Sequence, residues 1–368
     1  MPLASAVCQW RRHWQTALAS ATLQLQASAV KFLDKQIVMA HGAGGEASRR
    51  LVEGLFVPAF ANSVLSGLAD AALLEPLTGR LALTTDSFVV KPLRFPGGSI
   101  GELAVNGTVN DLAVSGATPV ALTASFVLEA GLDSEILRQE VAAMAAAAAK
   151  ANVRIVAGDT KVVEHGKADG MYICTTGLGL VDEQADLRPQ RVTPGDRVLL
   201  SGPIGAHGMT IMMARAELNM DADIRSDTRP LGALTTALLK AVGGGVKWMR
   251  DATRGGVATV LNELASQTDI PIALSEEAIP VDDVVRGACE LLGLDPLQVA
   301  NEGQFVAVVS ADSADAALAA LRATPGGEAA CMIGEVIAGK FGRVVARAAY
   351  GGQRVIDMLI GDPLPRIC

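Results

Sequence analysis

The chain lacks most of the features that assign a protein quickly. No apolar run approaches the roughly 20 residues that a membrane-spanning helix needs, although 50% of the residues are hydrophobic and the mean hydropathy is +0.34. Alanine and glycine supply that surplus, so the sequence reads as soluble. No block of lysine or arginine interrupts a net charge of −8. Nothing electrostatic therefore favours nucleic acid or an anionic membrane as a partner. The five cysteines, Cys8, Cys174, Cys289, Cys331 and Cys368, form no CxxC pair, which leaves no disulfide framework and predicts reduced thiols in a cytoplasmic protein. His41 and His207 sit in glycine-rich loops without partners at metal-ligand spacing, which argues against zinc. There is no GxxxxGK[ST], no GxGxxG after a first strand and no GxSxG.

What is there is an alternation of strands and helices long enough for two domains. Strands are predicted at 80–90, 119–128, 153–163 and 171–181, and helices at 99–116 and 133–150, the latter opened by Asp133 and Ser134. A loop from Asp182 to Pro194 bounds the first half. The pattern restarts at "TPGDRVLLSGPIGAHG" (193–208), followed by a helix at 209–218. Helices at 254–266, 285–293 and 314–323 then alternate with strands at 270–276, 304–310 and 330–337. The expected organisation is an extension of no assigned function over 1–36, α/β domains over 37–182 and 193–350, and a flexible tail over 351–368.

Four aspartates stand at element edges among small residues: Asp86 in "TTDS", Asp111 in "VND", Asp159 in "AGDTK" and Asp251 in "RDATRGG". Such carboxylates suit magnesium–polyphosphate, since a hard cation takes oxygen ligands and keeps its waters. Singly, each reads more readily as a turn or cap residue. "HGAGG", with Gly42, Gly44 and Gly45, can expose backbone N–H groups to an anion, and "RGG", with Arg254 and Gly255, opens a helix whose N-terminus attracts phosphate. Tight turns explain such loops as well. Lys161 and Glu302 ("ANEGQ") are a candidate phosphate clamp and proton acceptor beside a nucleotide, or an exposed ion pair of little consequence. The ending "IGDPLPRIC" puts Cys368 behind Pro363 and Pro365, which read as an extended arm and not as a helix end.

Taken together, "AHGAGG", "TTDSFVV", "IGELAVNGTVNDLAVSGA", "IVAGDTKVV", "RDATRGG", "ANEG", "IGEV" and "PLPRIC", in that order over 37–368, resemble the HypE family of hydrogenase maturation factors, carbamoyl dehydratases of the PurM-like, AIR synthetase-related superfamily. The resemblance implies an α/β fold of two PurM-like domains whose first domain pairs across a homodimer. It implies that a HypF carbamoyltransferase loads Cys368 and that ATP with Mg2+ drives dehydration of the thiocarboxamide to a thiocyanate. The cyanide then passes to iron on a HypC–HypD scaffold. By matching motifs, Asp86, Asn106, Asp111, Asp159, Thr160 and Asp251 become nucleotide or magnesium residues, and Cys368, Lys161 and Glu302 catalytic ones. Lysine acts as a base only where burial or a cation lowers its pKa, so Glu302 is the easier base to defend. Two positions depart from the family pattern: "LADAALL" (68–74) keeps only Asp70 of an acidic run, and Gln304 stands for a lysine, which predicts a weakened phosphate or carboxylate contact. A selenophosphate synthetase-like enzyme fits less well, because "MAHGAGGEAS" holds no cysteine. A non-catalytic assembly scaffold has no need of the four aspartates.

Overall fold

A computed structural model of the chain describes residues 30–215, 223–348, 351–359, 361 and 366–368. The expectations for residues 1–29, for the helix beyond 215 and for Pro363 and Pro365 fall outside these. The extension ends earlier than the sequence suggested. Phe32 is buried beneath the Arg138 guanidinium, and Gln36 bridges to Asp133. A short helix, α1 (Glu46–Leu51), follows and continues through Val52–Phe56 and Val57–Ala59.

The first half is a four-stranded sheet with helices on one face. Strand β1 (Leu81–Phe88) and a two-stranded ribbon, β2 (Arg94–Phe95) and β3 (Gly98–Ser99), lead into α2 (Ile100–Val114). Next come β4 (Ala117–Glu129), α3 (Ser134–Lys150), β5 (Arg154–Val163) and β6 (Met171–Val181). The strand order is β1-β6-β4-β5, antiparallel except for the parallel pair β4 and β5. Helix α3 starts where the sequence says it should, because the Asp133 carboxylate accepts from Glu135 N at 2.8 Å. Helix α2 is buried along nearly its whole length, Asn106, Thr108 and Asn110 included. It lies between this sheet and the second half, so Asn106 and Asn110 reach the junction while Thr108 meets Thr175 of β6.

The second half is a seven-stranded sheet in the order β13-β12-β9-β11-β7-β10-β8. Its elements run β7 (Arg197–Leu200), α4 (Ala206–Ala214), α5 (Gly232–Val242), β8 (Val246–Asp251), α6 (Gly256–Thr268), β9 (Ile272–Ser275), α7 (Asp283–Leu292), β10 (Phe305–Val309), α8 (Ala314–Arg322), β11 (Cys331–Val336), β12 (Val344–Arg347) and β13 (Gln353–Ile356). β13 corrects the expected start of the tail, since 353–356 is an edge strand paired with β12. Strand β10 is buried at all five positions, as a central strand covered on both faces must be. Among the described residues no helix is long and apolar enough to cross a membrane.

Candidate active site

Three of the four sequence-nominated aspartates converge at the junction. Asp86 comes from β1 and Asp111 from α2, where its Oδ2 accepts from Thr84 Oγ1 at 2.7 Å. Asp251 ends β8, opposite Phe305 of β10. Glu302, in the loop before β10, lies buried beside them. Asp111, Asp251 and Glu302 each feel at least one neighbouring carboxylate. Burial, and then the charge of Asp111 ahead of that of Asp86, pushes Asp251 up to about 7. Burial raises Asp111 as well, with Asp86 adding to the shift and the Thr84 hydroxyl opposing it. Glu302 is pushed well above the usual carboxylate range by burial and then by Asp227, Asp251 and Asp86, while Arg254 pulls it back.

Among the described residues, no three His, Cys, Asp or Glu side chains form a ready-made metal cage. Magnesium does not require one: it keeps several waters and takes one or two carboxylates plus phosphate oxygens. Mutually repelling carboxylates with little neutralising charge fit that arrangement. So does Asn106, whose Nδ2 donates to Thr228 Oγ1 at 3.1 Å while its buried Oδ1 has no partner. An acceptor left in that state costs about 1–3 kcal/mol.

Beside the carboxylates, Arg254 and Gly255 form the turn into α6. Gly255 and Gly256 take φ of +74° and +60°, and a Cβ on Gly256 would fall 2.5 Å from Leu297 O. Only glycine fits there, and Gly256 N closes the turn by donating to Thr253 O at 2.9 Å. Arg254 and Gly255 line a cavity of about 440 Å³ together with Ser87, Thr259, Gln298 and Cys368. The nominated carrier thiol and the nominated phosphate loop thus share one space.

The remaining nominated residues lie elsewhere. Gly42, Gly44, Asp159, Thr160 and Lys161 line an apolar pocket of about 330 Å³ with His41, Phe56, Phe126 and Asp70, and Gly45 sits next to it as the residue before α1. Asp159 pairs with Ser125, which pairs with Cys174, which pairs with Ser87, neighbour of Asp86. Three strand spacings, about 14 Å, therefore separate Asp159 from Asp86. Within one chain Asp159 and Lys161 do not reach the cleft. Lys161 is 63% exposed and ion-paired to Asp159 at 2.6 Å, a contact that holds the Asp159 carboxyl below its usual value. The burial that a lysine base requires is absent at this position.

Sequence reasoning missed the segment that seals the junction. The Asp227 carboxylate accepts from Glu302 N at 3.0 Å and Gly303 N at 3.2 Å. Arg229 donates through Nε to Gly303 O at 2.9 Å and through Nη2 to Gln304 Oε1 at 3.2 Å. Asn110 of α2 donates to Arg229 O and accepts from Leu231 N at 2.8 Å. The available signal was "SDTRPL", a charged stretch too irregular for any element. Gln304 turns inward, where its Oε1 also accepts from Ser201 Oγ at 2.7 Å. In this place Gln304 joins Ser201 to Arg229.

The sequence matches the AIR synthase related protein N-terminal domain over residues 68–181 and the AIR synthase related protein C-terminal domain over 193–347. The class is therefore PurM-like, as the sequence motifs implied. The chain is 49% identical over 330 residues to the carbamoyl dehydratase HypE of Bradyrhizobium diazoefficiens, a match spanning 90% of this chain and 95% of that one. A solved structure of hydrogenase maturation protein HypE in complex with ATP aligns with a TM-score of 0.86 at 46% identity, over 90% of this chain and 99% of that one. HypE in a HypE–HypF complex aligns at 0.74 and 47% identity, over 84% and 99%. The chain belongs to the HypE family of carbamoyl dehydratases.

Proposed function

We propose that this chain carries a carbamoyl group on the Cys368 sulfur and dehydrates it to a thiocyanate, supplying cyanide for a hydrogenase iron centre. The observation that carries this reading is Cys368 on one cavity with Arg254 and Gly255, next to the carboxylates of Asp86, Asp111, Asp251 and Glu302. The ATP complex of a relative supports ATP as the phosphoryl donor.

Asp86, Asp111 and Asp251 would hold magnesium, with Asn106 on the phosphates and Arg254 and Gly255 at the anion-binding turn. Magnesium–ATP, when bound, supplies the phosphoryl group that makes the thiocarboxamide oxygen a leaving group. The chain's own task is then to hold the sulfur still, keep water out and take two protons from the amide nitrogen as the C–O bond breaks and the nitrile forms. Glu302 is our candidate for the proton work, because burial beside other carboxylates makes its own carboxylate a stronger proton acceptor than a free one. Its burial at 3% exposure keeps bulk water from competing.

A homodimer supplies the members that one chain keeps apart. The face of the first sheet away from α2 and α3 carries two cross-strand leucine pairs, Leu81 with Leu180 and Leu83 with Leu178, with Leu83 74% exposed. Large apolar side chains rarely stay exposed in rows. A second copy on that face would bring its Asp159, Thr160, Lys161 and the 42–45 loop toward the cleft of the first. Domain limits near 37–182 and 193–350, a cytoplasmic setting, a HypF donor and a HypC–HypD acceptor complete the proposal, the HypE–HypF complex of a relative supporting the donor.

The test is mass spectrometry of the peptide bearing Cys368 after incubation with the carbamoyltransferase, carbamoyl phosphate and ATP. A carbamoyl adduct should form and then lose the mass of water only with magnesium–ATP present. A dehydrated adduct in the Cys368→Ala protein refutes the assignment, and an adduct that never dehydrates leaves only an assembly scaffold.

A further inference from the structure

Around residues 366–368 the structure builds a second constellation that takes no part in making or breaking bonds. Val89 N donates to Cys368 O at 3.0 Å and Lys91 N to Arg366 O at 3.3 Å. Alternate residues of two segments running in opposite directions thus meet, as in strand addition to an edge. Between them the Ile367 side chain is buried at 4% exposure in a core cluster that runs from the first half into α4 and α7. Asp169 pairs with both Lys91, at 3.1 Å, and Arg366. Arg215, the residue after α4, donates through Nε to Lys91 O at 2.8 Å and through Nη2 to Arg366 O, joining both segments.

His207 completes the set from α4. Its Nε2 lies 2.7 Å from Ile367 O and its Nδ1 2.8 Å from Ser226 Oγ. A carbonyl only accepts, so Nε2 carries the hydrogen and Nδ1 accepts the Ser226 hydroxyl proton. Thr228 N donates to Ser226 Oγ at 3.2 Å, which turns that hydroxyl toward the ring. Phe95 packs edge-on against the imidazole at 5.6 Å. Full burial lowers the pKa of His207 to about 4, so the ring stays a neutral donor.

We propose that His207 is a positioning residue, braced by Arg215, that latches the Cys368 segment in register with the phosphate-loop cavity. This inference rests on the carrier reading. Both side chains grip backbone carbonyls, so the latch holds whatever group the sulfur carries. Dehydration needs the latch closed, whereas loading and discharge on other proteins need it open. Loosening it should therefore slow water loss without slowing carbamoyl loading, a split that general misfolding does not produce.

The test uses the full-length protein with His207→Leu, Arg215→Ala and Ile367→Ala, and His207→Gln as the variant that keeps a donor. The first readout is the labelling rate of Cys368 by a bulky maleimide, followed by mass on its own peptide. Losing one such hydrogen bond should raise that rate about tenfold, with His207→Gln closer to the parent. The second readout should show loading within about twofold of the parent and water loss about tenfold slower. Parental labelling rates in folded His207→Leu and Arg215→Ala overturn the latch, as does a parallel fall in loading and dehydration. Should His207→Leu fail to fold, Arg215→Ala and Ile367→Ala decide. A parent protein that never takes the carbamoyl adduct sinks the carrier reading alone, because maleimide access still measures the latch.

Discussion

Replacing Asp251 with Asn removes one of the carboxylates that repel one another across the cleft, and its effect on stability has a definite pH dependence. The ordinary value is 3.8 and the folded value about 7, so the folded state holds the proton more tightly than the unfolded chain does. Stability from this group is complete below about pH 4 and is lost as pH rises through about 7. At ~1.4 kcal/mol per pKa unit, ionising Asp251 costs the metal-free fold about 2 kcal/mol at pH 5.5 and about 4 kcal/mol above pH 8. D251N escapes this penalty, so its advantage over the parent should widen by about 2 kcal/mol between pH 5.5 and 8.5. Urea unfolding in EDTA at low ionic strength measures it directly. Added magnesium should narrow the gap by stabilising the parent alone. An advantage that is flat with pH, or a D251N protein weaker than the parent at pH 8.5, would refute carboxylate repulsion as the character of this cleft.

Glu302→Gln should fold and bind ATP but leave the carbamoyl adduct on Cys368 intact, with water loss slowed at least about 100-fold by single-turnover mass spectrometry; unchanged dehydration removes Glu302 as the base. Gly303→Ala places a Cβ 1.9 Å from Asp227 O, and should lower stability by about 3 kcal/mol or more in thermal unfolding. A neutral result there would mean that the Asp227 segment does not seal the junction. Leu83→Glu puts a charge on the uncovered sheet face and should yield a monomer by light scattering with unchanged circular dichroism, whereas a persisting dimer moves the pairing surface elsewhere.

What the sequence reveals and what it conceals divide along physical lines. Helix α3 was legible because an aspartate cap precedes an alanine-rich run, and α2 because its motif sits at helical spacing. Helix α5 escaped notice, as "GALTTALLKAV" mixes β-branched threonines into a short run between glycines. The β12–β13 hairpin did too, since its second strand, "QRVI", is exposed at three of four positions. Asp86, Asp111, Asp251 and Glu302 could be named from their motifs, but their meeting could not be told from that of Asp159. Strand order decides it: β5 follows β4 in the chain yet lies three strands from β1. Asp227, Arg229 and His207 stayed hidden because their partners are 75, 74 and 160 residues away, in segments with no periodicity.

Asn110 ties α2 to Arg229, Leu231 and Glu302, and these bonds span the two halves of the molecule. Each such bond contributes only about 1 kcal/mol, but all three oppose a hinge between the halves at the cleft. Under the carrier proposal, the travel then falls to the few residues that end in Cys368.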